Sequence, residues 1–61
     1  MQERLMTKKQ VAEQLGLSKP TIERMLRRGD LAFVRVSDRS IRIPEGEVSR
    51  LILRHTERGA Q

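Results

Sequence analysis

"VAEQLGLSKPTIERMLRRG", residues 11–29, holds most of one helix, the turn that ends it and the whole of a second. Val11, Ala12 and Leu15 share one face at helical spacing, while Lys8, Lys9 and Glu13 lie largely off it. Gly16 stops this helix, because a glycine past the last apolar position accepts the left-handed conformation of a C-cap. Ser18 is a good N-cap for the next helix, and Pro20 is tolerated in its first turn, where the missing N–H has no intrahelical partner. The second helix is predicted from about Lys19 to Arg28, ended by Gly29. On a helical wheel Ile22, Met25 and Leu26 fall together, with Pro20, Thr21, Arg24, Arg27 and Arg28 on the opposite side. Two helices joined by a short glycine-containing turn are the helix-turn-helix signature, in which the second helix enters the major groove of DNA.

The flanks extend the pattern. Thr7-Lys8-Lys9-Gln10 has the S/T-x-x-E/Q form of a capping box and opens the first helix, after a lead-in of residues 1–6 whose Leu5 is expected to pack on the domain. Beyond Asp30 the character changes. Residues Leu31 to Val36 and Ile41 to Ile43 are rich in β-branched side chains, with Ser37-Asp38-Arg39-Ser40 as turn formers between them, and they predict a β-hairpin. Arg35, Arg39 and Arg42 are expected on its outer face or tip, and Phe33 in the core. Pro44 breaks the second strand. From Glu45 to about Arg54 a third helix is predicted, with acids in its first turn, arginine in its last and Val48, Leu51 and Ile52 as its apolar stripe. The polar tail from Thr56 to Gln61 is expected to fray. The predicted fold is mainly α with a small β-hairpin: a winged helix-turn-helix of order α-α-β-β-α, forming a single domain over residues 1–61 with an ordered part from about 5 to 55.

A chain of 61 residues supports only a thin core, and with no cysteine and one histidine it has no disulfide and little metal chemistry to reinforce it. A binding partner is the expected source of further stability. The absence of cysteine suits a reducing compartment, and the longest apolar run, Leu51-Ile52-Leu53, is far too short to span a membrane. These features predict a soluble, cytoplasmic chain without membrane contact.

Charge narrows the partner. Thirteen Lys plus Arg against eight Asp plus Glu leave +5, and ten of the thirteen cations are arginine, the residue suited to bidentate phosphate and base-edge contacts. Between Lys19 and Arg42 lie seven basic and three acidic residues, so +4 of that excess sits in the middle of the chain. Such clustering predicts a polyanion as partner rather than an even solubility coat.

Catalysis finds no support in the side chains. His55 stands alone near the C-terminus, Glu45 and Glu47 are two residues apart and therefore on different helix faces, and the glycines at 16, 29, 46 and 59 form no phosphate-cradling cluster. No enzyme activity, cofactor or metal is expected. Single-stranded nucleic acid requires aromatic platforms, and this chain has one aromatic residue, so duplex DNA is the better match.

Roles within the DNA reading follow from position. Lys19, Pro20, Thr21, Glu23 and Arg24, at the start of the second helix and one turn on, are placed to meet base edges, with Arg24 assigned to guanine. Glu23 has two readings: it accepts from cytosine N4, or it pairs with Arg27 at i+4 and orients it. Arg27 and Arg28 are assigned to phosphates, and Ser18 to a cap that also donates to a phosphate beside the helix N-terminal amides. In the hairpin, Arg39 at the tip is the candidate for the adjacent minor groove, with Arg35 and Arg42 on the backbone.

The stretch "MTKKQVAEQLGLSKPTIERMLRRGDLAFVRVSDRSIRIPEGEVSRLI" resembles the small winged helix-turn-helix proteins of the excisionase group, relatives of the DNA-binding part of MerR-type regulators. The likeness runs from residue 5 to about 53 and is carried by "VAEQLGLSKPTIERMLRRG", the "GDLAFVRV" entry to the wing and the "IRIP" exit. It implies a recombination directionality factor that binds repeated sites in an attachment region, bends DNA and works with an integrase to favour excision. No long dimerisation helix follows the wing, which favours such a factor over a ligand sensor. A module of this size makes few base contacts, so self-association on DNA is expected, with bending at an elastic cost of order 1 to 6 kcal/mol. Two other readings stand beside it: a small prophage or plasmid transcriptional regulator, and a protein-interaction module with a basic face.

Overall fold

The computed structural model describes residues 3–59. Its elements are β1 (Leu5–Met6), α1 (Lys8–Leu15), α2 (Lys19–Arg28), β2 (Val34–Ser37), β3 (Ser40–Pro44) and α3 (Glu45–His55). From α1 onward the order is the predicted α-α-β-β-α of a winged helix-turn-helix.

The helix boundaries form as their sequences dictate. Thr7 Oγ1 accepts from the Gln10 N–H at 3.1 Å while the Gln10 side chain accepts from the Thr7 N–H at 2.9 Å, completing the capping box of α1. Ser18 caps α2, its oxygen accepting from the Thr21 N–H at 3.4 Å. Gly16 and Gly29 end the two helices with φ of 69° and 83°, a region costly for any residue with a Cβ. Leu17 and Asp30 then donate back to Ala12 and Met25, both at 2.9 Å, and turn the chain sharply after each helix.

Tertiary structure adds what the local pattern does not contain. The lead-in becomes a strand: β1 pairs antiparallel with β3, Met6 opposite Ile43 and Leu5 opposite Pro44, giving a sheet of order β1-β3-β2. Alternation along this strand buries Met6, at 7% exposure, and leaves Leu5 at 42%, so it is Met6 and not Leu5 that packs on the core. Glu3 extends the same clasp by accepting from the Gly46 N–H at 2.5 Å, which satisfies an amide at the start of α3 that its N-cap, Pro44, has no side-chain group to bond.

Buried Met6, Val11, Ala12, Ile22, Leu31, Ile43, Val48 and Leu51 make one cluster drawn from all three helices, two of the strands and the segment after α2. Leu31 is buried from a loop, because β2 begins only at Val34, later than predicted. Two core assignments fail. Phe33 is 41% exposed, since the loop that buries Leu31 turns it outward, and Ile52 is 43% exposed, since it borders an open cleft beside Leu15, Leu17 and Met25.

Candidate nucleic-acid interface

The interface builds on the one face of α2 that the core does not use. Ile22 is fully buried, and Met25 and Leu26 pack partly against the core, so Pro20, Arg24 and Arg27 form the outward crest of the helix and all three are exposed. Arg24 and Arg27 enter no ion pair among the described residues. At the start of the helix the Ser18 and Thr21 hydroxyls lie 2.8 Å apart in a mutual hydrogen bond, which consumes one hydroxyl proton and leaves the other to donate outward.

The two flanks of α2 differ. On one, Lys19 lines a groove of about 440 Å³ between the helix starts and the hairpin, whose other cationic walls are Lys8, Lys9, Arg35, Arg39 and Arg42, with Asp38 the single acid. On the other, Arg28 turns toward α3, where its guanidinium bonds Asp30 at 3.0 Å on the rim of the cleft containing Met25, Leu51 and Ile52. The structure therefore joins Lys19 to the hairpin arginines and sets Arg28 apart from them.

Strand register decides where the hairpin arginines point. Arg35 is opposite Ile41, and Ile43, two residues along the same face, is fully buried. Arg35 thus stands on the inner face, turned toward the helices, and not on the outer face or tip. Val34 and Arg42 are paired on the outer face, from which the Arg42 guanidinium folds back to donate to the Ile41 carbonyl at 2.8 Å while still bordering the groove. Arg39 occupies the turn, exposed, as expected. The ladder is irregular between Arg35 and Ser37, and Arg35 donates to the Asp38 carbonyl at 3.3 Å across that irregularity, bracing the tip.

Glu23 pairs with Lys8 of α1 at 3.4 Å, not with Arg27. The packing of α1 on α2 brings the Lys8 ammonium across, and sequence spacing along one helix carries no trace of such a partner. Lys8 and Lys9 are the residues that sequence reasoning missed. One signal was available: two lysines in the first turn of a helix oppose its macrodipole, an arrangement that local stability disfavours.

The hairpin is oriented from below by α3. Glu47 accepts from the Ala32 N–H at 3.1 Å and Arg54 donates to the Asp30 carbonyl at 2.9 Å, so both ends of one helix grip the segment that launches β2. The Arg50 guanidinium, 2.5 Å from Glu47, together with the Ala32 N–H holds the Glu47 carboxyl below its usual range, and Glu47 in turn raises Arg50. Among the described residues no three His, Cys, Asp or Glu side chains converge to hold a metal ion.

A helix-turn-helix with a cationic outer crest, flanked by a hairpin that closes a basic groove, defines a winged helix-turn-helix DNA-binding domain. The chain belongs to the helix-turn-helix domain family, whose model matches residues 5–56; these are DNA-binding domains, typically without enzymatic activity, and they include excisionase-like proteins. Comparison with curated proteins and with solved structures gave no match.

Proposed function

We propose that the chain is an excisionase: a protein that recognises specific sites in duplex DNA, binds an attachment region in several copies, bends it and directs an integrase toward excision. The observation that carries the DNA-recognition part is the convergence of Lys8, Lys9, Lys19, Arg35, Arg39 and Arg42 on one groove beside the Arg24 and Arg27 crest. The excisionase part rests on the family resemblance.

In this reading α2 lies in the major groove, where Lys19, Pro20, Thr21 and Arg24 face base edges, joined by Glu23 once Lys8 exchanges it for the DNA backbone, and Arg24 reads guanine. Arg27 holds phosphate; Arg28 does so after exchanging Asp30 for the backbone. Ser18 donates to a phosphate at the helix N-terminus. The groove takes the backbone of one strand through Arg35 and Arg42, Arg39 reaches the neighbouring minor groove, and Lys8 and Lys9 add phosphate contacts. Exposed Val34 and Val36 on the hairpin give neighbouring copies an apolar surface to share. Among the described residues no helix is long and apolar enough to cross a membrane, and we assign the chain to the cytoplasm, where its DNA is.

Titrating fluorescent duplex DNA at rising salt tests the binding step, because neutralised phosphates give a steep negative slope of affinity against salt. Undetectable binding at low salt would end the DNA reading. Footprinting on the attachment region of its own element, followed by an excision assay with the cognate integrase, separates an excisionase from a transcriptional regulator with the same DNA contacts. The remaining alternative is a protein-interaction module whose basic face meets an acidic partner, and the same salt titration on duplex DNA separates it from both DNA-binding readings.

A further inference from the structure

We infer that Phe33 is itself a DNA contact, its ring lying against a deoxyribose of the strand that passes between α2 and the hairpin; the inference rests on the DNA-binding reading above. The chain has one aromatic residue, and the core that the described residues form from eight buried apolar side chains omits it, the largest apolar group available. Burying an aromatic ring stabilises a fold, so leaving it 41% exposed forgoes stability that a thin core needs.

Its position gives that exposure a direction. Phe33 and Lys8 are the walls common to two concavities, the hairpin groove containing Lys19 and Arg39 and a smaller hollow completed by Glu23, Leu26 and Arg27. The ring lies 6.0 Å from the Arg35 guanidinium, and cations border it from α1, α2 and the hairpin alike. The backbone that carries the ring is fixed on both sides: Leu31 is buried, the Ala32 N–H is bound by Glu47, and β2 starts at the next residue. The ring is therefore presented on a braced segment, at little cost in conformational freedom on binding.

An apolar plate set among cations matches the backbone of duplex DNA, where anionic phosphates alternate with sugars that expose C–H faces. Arginine and lysine meet the phosphates, and the ring covers the sugar between them. Bases stay stacked inside the duplex, so the contact is to sugar and carries no sequence preference.

The test uses the full chain and two duplexes, one of mixed sequence and one enriched from a random pool by the wild-type protein. Phe33→Ala is expected to weaken binding to both about tenfold, with an unchanged salt slope because no cation is removed. Phe33→Leu, which keeps an apolar side chain, is expected to lose about threefold and remains usable if the alanine variant folds poorly. The loss from Phe33→Ala is expected to persist in an Arg35→Ala background. Its disappearance there would overturn a direct contact by showing that the ring acts only through Arg35. A loss confined to the enriched duplex would overturn the sugar assignment in favour of a base. Wild-type affinity in folded Phe33 variants would overturn the inference alone, whereas no binding by the wild-type chain would overturn the DNA reading beneath it.

Discussion

The Glu47 carboxylate accepts the Ala32 backbone N–H at 3.1 Å, so the first turn of α3 holds the segment from which the hairpin departs. Arg50 donates to the same carboxylate, making the wing's attachment dependent on a charged group.

That dependence is measurable by pH. Glu47 sits below its ordinary value of 4.5 because of the hydrogen bond from Arg50 and that from Ala32, so its contribution to stability is full above that value and is lost as pH falls through the lowered folded-state value. Glu47→Gln is expected to be less stable than wild type near neutrality, and urea midpoints of the two should draw together in acid. Midpoints that stay equally separated at every pH would show that the charge is not what Glu47 contributes.

Arg24 and Arg39 are expected to fail differently. Alanine at Arg24 should lower discrimination between enriched and random duplexes by about 1 to 3 kcal/mol, while alanine at Arg39 should weaken both more evenly. Competition titrations measure each. Equal losses on both duplexes for Arg24→Ala would move base reading elsewhere on α2.

Lys9 lines the groove and takes part in no ion pair among the described residues. Lys9→Ala should leave folding unchanged and reduce the magnitude of the salt slope by about 1, as expected when a single phosphate is no longer neutralised by the protein. An unchanged slope would remove α1 from the interface.

Ile22 and Gly29 report on the scaffold. Ile22 is fully buried, and its truncation to alanine should cost about 2 to 5 kcal/mol, enough to unfold much of a domain with a thin margin. Gly29→Ala meets open space but a φ of 83°, so its cost is expected to be only the left-handed backbone penalty of about 1 to 2 kcal/mol. Thermal melts followed by circular dichroism should rank them in that order.

Much of the fold was legible because its decisive signals act over a few residues. The Thr7–Gln10 capping box, Ser18, Gly16 and Gly29 each complete a hydrogen-bond pattern within one turn, and the apolar spacing of Val11, Ile22 and Val48 reports a face whatever packs on it. Of the site, the Arg24 and Arg27 crest was readable for the same reason: a residue opposite a buried one on a helix points outward. Glu23 was not. Its two readings both lay along α2 or beyond it, while its actual partner, Lys8, arrives from α1.

From the sequence alone came the helices, their stops, the hairpin and the concentration of charge, since propensity, capping and composition are local properties of the chain. Tertiary structure decided the rest. The pairing of Met6 with Ile43 turned a lead-in into β1, the register of Arg35 with Ile41 put that arginine on the inner face, and the loop that buries Leu31 left Phe33 outside. Each depends on contacts between segments or on a one-residue choice of register that inverts every side chain, and neither is encoded in short-range periodicity.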